Sequence, residues 1–284
     1  MKDYFDLWVN NKEEYDDLFF SVINKGKDKP LSRELVPEPY LGDIRSRASA
    51  VIININPGGY EKSESYAALE DYLKENGGYY SYAKDFFHDI ERKANDKDQS
   101  EEWIFPPSYK WWLKRKPWVE RILENSNIDS KDAKLIAFEL CPWHSASWKG
   151  WGKKGLEVLR NEIEDNTIKP AVQHIHKSEL QFGLAVSKVV RDTLVDLGFE
   201  SKRGWQSKDF EKSEDFAKWP LNKKGEPTKR IYELLCRPSD EGKGIPETYV
   251  LCTWAPAANS APSSAFKDVE ESICQEIDKL IKTK

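Results

Sequence analysis

Short apolar runs alternate with amphipathic stretches along this chain. The runs Ala50–Ile55 and Ala133–Leu140 are largely apolar, and each leads into a turn that contains proline. Such runs are typical of strands that are buried on both faces of a parallel sheet. A further strand is predicted near Glu179–Phe182, and a last one at Thr248–Trp254, which we expect to pair with Arg230–Cys236 across a polar loop.

Three stretches carry apolar residues at the three- and four-residue spacing of an amphipathic helix. They lie at residues 12–23, between Gly183 and Gly198, and at residues 266–283. Strands that alternate with helices indicate an α/β fold. We therefore predict a single domain over residues 1–284, a three-layer α/β sandwich around a central, mainly parallel four-stranded sheet, with its core at about residues 37–270.

The loops that leave the strands are the places to look for chemistry. In parallel α/β sheets, ligands bind beyond the carboxyl ends of the strands. The segments that meet this condition are Asn54–Tyr60, Glu139–Trp148 and Trp254–Ser264.

Composition limits the class of protein. The 284 residues are 39% hydrophobic and 33% charged, which supplies a core and a well-solvated surface. No apolar run approaches the roughly 20 residues of a membrane helix, and residues 1–6 carry acids where a signal peptide is apolar. The cysteines Cys141, Cys236, Cys252 and Cys274 show neither a C-x-x-C pair nor a metal spacing. We expect a cytoplasmic protein with reduced, buried thiols, no metal, no cofactor and no membrane partner.

The net charge of −5 does not by itself indicate nucleic acid, but residues 110–116 and 148–154 mix cations with tryptophan. Cations bind phosphates and aromatic faces stack on bases, so we expect DNA as the partner. A solvated helix face with buried tryptophans is the alternative for each segment. The predicted DNA-binding residues are Lys110, Lys114, Arg115, Lys149 and Lys153.

The turn after the first predicted strand reads Asn54-Ile55-Asn56-Pro57-Gly58-Gly59-Tyr60. Pro57 fixes its own backbone angle, and the glycines allow a ligand to approach the backbone closely. Exposed N–H groups after a strand bind anions and carbonyls. Asn56 comes just after the strand, where its side-chain amide can bind a water or a sugar oxygen. An ordinary strand-ending turn has the same pattern, so the turn alone leaves both interpretations open.

These residues resemble a known family. Asn54-Ile55-Asn56-Pro57-Gly58 is similar to the G-I/M-N-P-G loop of the mismatch-specific and single-strand-selective branches of the uracil-DNA glycosylase superfamily. Pro37–Gly42 is similar to the segment before that loop, and Glu139–Pro142 resembles the N-L-C-P motif of the single-strand-selective branch. Trp254–Ser263 stands in the place of the late H-P-S or M-P-S loop.

The resemblance implies a DNA glycosylase, which hydrolyses the bond between a base and its sugar and leaves an abasic site. Asn56 corresponds to the catalytic asparagine that positions water against the sugar carbon. The first loop would contact the base and a phosphate through backbone N–H groups, and Tyr60 would stack on the flipped base. The late loop, with Trp254, would press on the DNA strand. The implied substrate-binding residues of the first loop are Asn54, Pro57, Gly58, Gly59 and Tyr60.

One departure from the family lies in the late loop. It has no histidine, because Trp254, Ala255 and Pro256 stand where His-Pro-Ser would. The candidates for the missing hydrogen-bond donor are Asn259, Ser260 and the catalytic candidate His144. His144 follows a predicted strand end, and a structural histidine bonded to the backbone is the alternative for it.

The other departure is Glu139, which stands where the family has its base-reading asparagine. An amide donates to uracil O4 and accepts from N3–H, whereas an ionised carboxylate only accepts. It would repel O4 and bind the exocyclic amine of a cytosine-like or adenine-like base. We therefore expect an amino-bearing base, such as a modified cytosine of phage DNA, and with it a role in antiviral defence.

Two other functions stay open. A non-catalytic member of the same fold would bind DNA or a protein partner through the tryptophan-lysine segments. An unrelated α/β enzyme would bind a nucleotide or a sugar phosphate at the Asn56–Gly59 turn. His174-Ile175-His176 would put two imidazoles on one side of a strand, but no third metal ligand accompanies them. We expect the protein to act on DNA as a monomer.

Overall fold

The computed structural model describes residues 4–11, 13–14, 32, 35–54, 64–87, 120, 134–141, 143, 164–206, 224–225, 231–254 and 267–282. The strands are β1 Tyr40–Leu41, β2 Ala50–Asn54, β3 Leu135–Glu139, β4 Phe182–Val186, β5 Glu200–Gln206, β6 Ile231–Arg237 and β7 Thr248–Trp254. The helices are α1 Tyr4–Asn10, α2 Glu64–Glu75, α3 Tyr79–Ala83, α4 Lys169–Lys177, α5 Lys188–Asp196 and α6 Lys267–Lys282. A π-helical turn, Glu164–Ile168, precedes α4, and a 3-10 turn covers Glu241–Lys243.

The strands form a seven-stranded mixed sheet in the order β1-β3-β2-β4-β7-β6-β5. β2, β4 and β7 are parallel, and Leu184 of β4 lies opposite Ile52 on one side and Leu251 on the other. Every residue of these three strands is buried. Together with the helices, this sheet confirms the predicted α/β class.

β3 runs in the same direction as β2. Ser49 N–H donates to the Lys134 carbonyl before the two strands begin, and Leu140 N–H donates to the Asn54 carbonyl where they end. The carboxyl ends of β2 and β3 are therefore side by side. β1 is antiparallel to β3, β6 to β7, and β5 to β6.

Three antiparallel strands extend the predicted four-stranded sheet to seven. The pairing of β6 with β7 was expected from the sequence and is confirmed, with Leu234 opposite Leu251. β1 and β5 were not predicted. β1 has only two residues, and β5 exposes every residue except Trp205, so neither strand carries an apolar alternation that a sequence pattern could reveal.

The strand predicted near Glu179–Phe182 is displaced. Residues 178–181 form a bend, in which Gln181 has a φ of 48°, and the strand begins only at Phe182. Gly183, which follows the predicted strand, lies inside β4. A glycine is needed at this position in the strand because a Cβ atom there would lie 2.8 Å from the Cδ1 atom of Ile175 in α4.

The helix predictions have mixed outcomes. The expected end of α5 at Gly198 is confirmed, since that glycine has a φ of 90°, which favours glycine after a helix. The closing helix is confirmed as α6, which buries Ile273 and Ile277. His174-Ile175-His176 lies in α4, so the expectation of a strand there is wrong. The predicted helix at residues 12–23 lies outside the described residues, apart from residues 13 and 14.

The chain divides into two compact units. The first comprises the described residues of Met1–Ser46, Asn54–Lys110 and Ile136–Gln173, and the second comprises those of Arg47–Ile53, Trp111–Leu135 and His174–Lys284. Among the described residues, no helix has both the length and the apolar character needed to cross a membrane.

The core of the first unit is largely aromatic. The rings of Tyr4 and Trp143 meet edge to face with centroids 5.1 Å apart. The Tyr79 ring packs on Tyr40 at 5.3 Å, and its hydroxyl donates to the Tyr40 carbonyl at 2.7 Å. These contacts fasten α3 to β1, and ring pairs of this kind add about 0.5–1.5 kcal/mol each beyond their buried area.

In the second unit, a bidentate ion pair joins α5 to the sheet. The Arg191 guanidinium donates to both oxygens of Glu233 in β6, at 2.8 Å each. Val190 and Leu194 of the same helix are fully buried. Ser187 is the N-cap of this helix, and its hydroxyl accepts a hydrogen bond from Val189 N–H.

Replacing Gly183 by alanine is expected to destabilise the protein by about 1–3 kcal/mol, because the new methyl overpacks a buried contact with Ile175. Thermal or urea unfolding measures this change. The double variant Gly183→Ala/Ile175→Val removes the clashing Cδ1 atom. Its loss of stability should be smaller than the sum of the two single losses, and strictly additive losses would contradict this packing.

Candidate functional site

Three of the predicted site residues lie in the described part of the chain. Asn54 is the last residue of β2, Glu139 the last of β3 and Trp254 the last of β7. All three are buried. The other predicted site residues lie outside the described residues: Asn56, Pro57, Gly58, Gly59, Tyr60, Lys110, Lys114, Arg115, His144, Lys149, Lys153, Asn259 and Ser260.

The structure brings Asn54 and Glu139 together within the first unit. The Asn54 side-chain amide donates to Oε1 of Glu139 at 3.1 Å, 85 residues away along the chain. A backbone hydrogen bond joins the same two strand ends, because Leu140 N–H donates to the Asn54 carbonyl at 2.9 Å. Two of the three described candidates thus form one buried polar pair at the carboxyl ends of neighbouring strands.

The two oxygens of Glu139 have different surroundings. Oε1 accepts from Asn54, whereas Oε2 is buried and has no hydrogen-bond partner among the described residues. Only 2% of Glu139 is exposed. A buried polar atom without a partner costs about 1–3 kcal/mol and calls for a reason, such as a water or a ligand group that binds there.

Burial raises the pKa of Glu139 well above its ordinary value, and the nearby Glu38 carboxyl raises it further, while the Asn54 hydrogen bond opposes the rise. The neutral acid is therefore favoured. Burial thus opposes the ionised, accept-only form that the sequence predicts for Glu139. In the neutral acid, Oε1 accepts from Asn54, so the proton would lie on Oε2 and make that oxygen a donor.

The neighbours of Glu139 were not found from the sequence. Glu38, 1% exposed, lies between two buried prolines just before β1, and Tyr79 and Tyr82 of α3 are buried nearby. Burial first, and then the Glu38 charge, raises the pKa of both phenols well above the ordinary value, and Glu139 contributes to the shift of Tyr79. The spacing of Tyr79 and Tyr82 and the acid between prolines are the signals that could have indicated this cluster.

Trp254 belongs to the second unit. It ends β7, lies opposite Ile231 of β6 and is 7% exposed. The side chain of Trp254 is therefore mostly covered. Its implied contact with a DNA strand stays a prediction.

The expectation for the cysteines is confirmed. Cys141, Cys236, Cys252 and Cys274 are all buried thiols that form no disulfide. Burial raises the pKa of the Cys141 thiol above its usual range, which keeps it protonated and unreactive. Within the described ranges, no three His, Cys, Asp or Glu side chains are gathered where they could hold a metal ion.

His176 serves the structure of the second unit. The Thr248 hydroxyl donates to the Pro246 carbonyl at 2.9 Å, so it must accept from Nδ1–H of His176, 2.5 Å away. Burial, together with the charge of Arg237, lowers the pKa of His176 from 6.5 to about 4. The folded protein therefore holds this imidazole neutral.

Stability should rise with pH through the window in which His176 binds a proton in the unfolded chain but not in the folded one. Because the pKa of His176 is lowered, the folded state binds fewer protons than the unfolded chain between pH 4 and 6.5. The contribution of neutral His176 to the unfolding free energy is therefore complete above pH 6.5 and is lost toward pH 4. The variant His176→Asn keeps a donor for Thr248 but does not titrate. The difference in unfolding free energy between wild type and variant should grow from pH 4 to 6.5, and a pH-independent difference would argue against the shift.

Comparison of this chain with models of known protein families, with curated proteins and with solved structures found no match.

Proposed function

We propose that this protein is a divergent member of the uracil-DNA glycosylase superfamily that hydrolyses the N-glycosidic bond of a modified or damaged base in DNA and leaves an abasic site. The observation that carries the proposal is the buried Asn54–Glu139 pair. It lies where the resemblance puts the water-positioning loop and the base-reading residue, and one of its oxygens has no partner among the described residues.

The strand order supports this position for the site. β2 has β3 on one side and β4 on the other, so the winding of the chain reverses at β2. In parallel α/β sheets, ligands bind at the carboxyl end of the strands where the order reverses. Asn54 is the last residue of β2, and the Asn56–Gly59 turn follows it directly in the sequence.

The chemistry of base excision fits a pocket with fixed dipoles. A base inside a duplex cannot be reached, so it must swing out into the protein. Cleavage of the glycosidic bond builds positive charge on the sugar and negative charge on the base. Preorganised donors near that charge accelerate the reaction, and removal of one such donor typically costs about 3 kcal/mol. In the proposal, Asn56 orients the attacking water and Glu139 contacts the base.

The proposal includes a cytoplasmic protein that acts on DNA as a monomer, without a metal or a cofactor. Residues 110–116 and 148–154 would supply the phosphate and base contacts through their lysines and tryptophans. Modified cytosines of phage DNA are the proposed source of substrate, which makes defence against phage the proposed role.

A panel of oligonucleotides tests this function. Each oligonucleotide carries one uracil, cytosine, 5-methylcytosine, 5-hydroxymethylcytosine or 5-hydroxymethyluracil, in single-stranded and duplex form. Abasic sites are detected by alkaline strand cleavage. We expect abasic sites from at least one modified base and none from unmodified thymine or adenine.

The other two functions predict different results in the same panel. Tight, salt-dependent DNA binding with no abasic site would favour a non-catalytic DNA-binding protein. Absence of both binding and cleavage would exclude the glycosylase and would favour an enzyme that acts on a small nucleotide or sugar phosphate.

A further inference from the structure

The two oxygens of the Glu139 carboxyl group have different surroundings. Asn54 Nδ2 donates to Oε1 at 3.1 Å, which orients the group and makes Oε1 the acceptor. Oε2 is buried and has no partner among the described residues. An oriented carboxyl group with one unused oxygen at a strand end is suited to act on a ligand rather than on the fold.

Burial and the Glu38 charge disfavour the ionised form of Glu139, whereas the Asn54 amide favours it. Glu38, before β1, is the acid that acts on it most directly. Tyr79 of α3 and Cys141, two residues beyond Glu139, also interact with it electrostatically, and both are buried and neutral. Among the described residues, no cation contributes to these interactions. The site therefore resembles those in which an apolar environment keeps a carboxylic acid neutral so that it can donate a proton.

We infer that Glu139 is the proton donor to the leaving base and that the substrates are consequently cytosine-type bases, which carry an unprotonated ring nitrogen next to an amine. This inference rests on the proposed glycosylase function. It replaces the accept-only role for Glu139 with the role of a general acid.

Atoms and electrons balance in this step. The Oε2–H bond of Glu139 breaks and its proton moves to N3 of the base, while the electron pair of the C1′–N1 bond goes to N1 as that bond breaks. The base leaves as a neutral molecule. Water forms a bond to C1′ and gives up a proton, and the Glu139 carboxylate is reprotonated from solvent. The net reaction is hydrolysis, and no oxidant, reductant or further reactant is needed.

The position of the donor explains the choice of base. Uracil has N3–H, which cannot accept a proton, and it leaves as an anion that hydrogen bonds and dipoles can stabilise. Neutral cytosine leaves as a much more basic anion unless N3 is protonated first. A carboxylic acid supplies this proton, whereas the family's asparagine amide cannot. General acids of this kind typically contribute about 10²–10⁴-fold to the rate.

The test compares Glu139→Gln with wild type on two matched substrates, 5-hydroxymethylcytosine and 5-hydroxymethyluracil, which differ at the fourth ring position and in the proton on N3. Glutamine can still accept from Asn54 but cannot transfer a proton. We expect turnover of the cytosine substrate to fall about 10²-fold or more, while any turnover of the uracil substrate falls far less or rises, because the glutamine amide can donate to O4 and no proton transfer to N3 is needed there. Wild-type turnover of the cytosine substrate should also fall as pH rises and the acid is lost, and the variant should lose this dependence.

Glu139→Asp keeps a carboxylic acid, so it should retain more turnover of the cytosine substrate than Glu139→Gln. Thermal melting checks that each variant folds. Equal losses on both substrates would assign Glu139 a structural role and overturn the inference. Wild-type cleavage of uracil bases alone would overturn it while leaving the glycosylase function intact. Wild-type release of no base at all would remove the glycosylase function and the inference with it.

Discussion

Replacing Asn56 by alanine is expected to abolish base release, with a loss in turnover of about 10²–10³-fold or more. In the proposed mechanism the Asn56 amide orients the water that attacks C1′, a contact made only as the bond breaks. DNA affinity should be nearly unchanged, because phosphate contacts from lysines and arginines supply most of it. Single-turnover cleavage and a binding titration at the same salt concentration separate the two effects.

A matched control for Asn56→Ala is Asn76→Ala. Asn76 is exposed after α2, and its amide donates only to the Tyr72 carbonyl among the contacts described for it. We expect this variant to release base at the wild-type rate. Unchanged turnover in Asn56→Ala would refute the role given to Asn56, and equal losses in DNA binding and cleavage would assign it to binding.

Replacing Asn54 by aspartate is expected to make stability steeply dependent on pH. At pH 4 the introduced carboxyl group, when protonated, can donate to Oε1 of Glu139 as the amide does, so stability should be close to wild type. At pH 8 two buried carboxyl groups compete for one proton beside Glu38, and we expect a loss of about 3 kcal/mol or more. Urea unfolding at several pH values measures this loss.

The direction in which stability changes with pH follows from proton linkage. A carboxyl group whose pKa is raised by folding binds protons more tightly in the folded state, so its favourable contribution is complete below the ordinary pKa and is lost as pH rises. Wild type should show the same trend more weakly, above 4.5, because burial raises the pKa of Glu139 from that value.

Asn10→Asp is the matched control for Asn54→Asp. The Asn10 amide also donates to a carboxylate, Asp6, at 2.8 Å, but this pair is exposed. Water screens it, so we expect a change below about 1 kcal/mol at any pH. Similar losses in Asn10→Asp and Asn54→Asp would mean that the environment of Glu139 is not as buried as the structure has it.

The central strands could be predicted from the sequence because burial on both faces leaves an apolar run. β2, β3 and β7 show this run, and β6 was found through its pairing with β7. The prediction placed β4 too early, before Gly183, because a glycine within a strand leaves no apolar signal, although this glycine lets Ile175 pack closely. β5 carries polar residues at nearly every position, so nothing in its pattern separates it from a loop.

The site residues could be predicted only in part. Asn54 and Glu139 were found because they end apolar runs and match a known motif. The protonation state of Glu139 could not be predicted, because it depends on burial in the folded chain and on Glu38, which lies about 100 residues earlier in the sequence. A motif shows which side chain is present, but burial by distant segments determines whether that side chain is charged.

Mass spectrometry of the small molecules released from DNA tests the proposed glycosylase activity most directly. Purified protein is incubated with DNA that contains modified cytosines and, separately, with DNA that contains only the four ordinary bases. We expect a free modified base from the first DNA, in equal number to new abasic sites, and its loss with Asn56→Ala. Intact DNA with no free base, from a folded protein that binds it, would contradict the proposed activity.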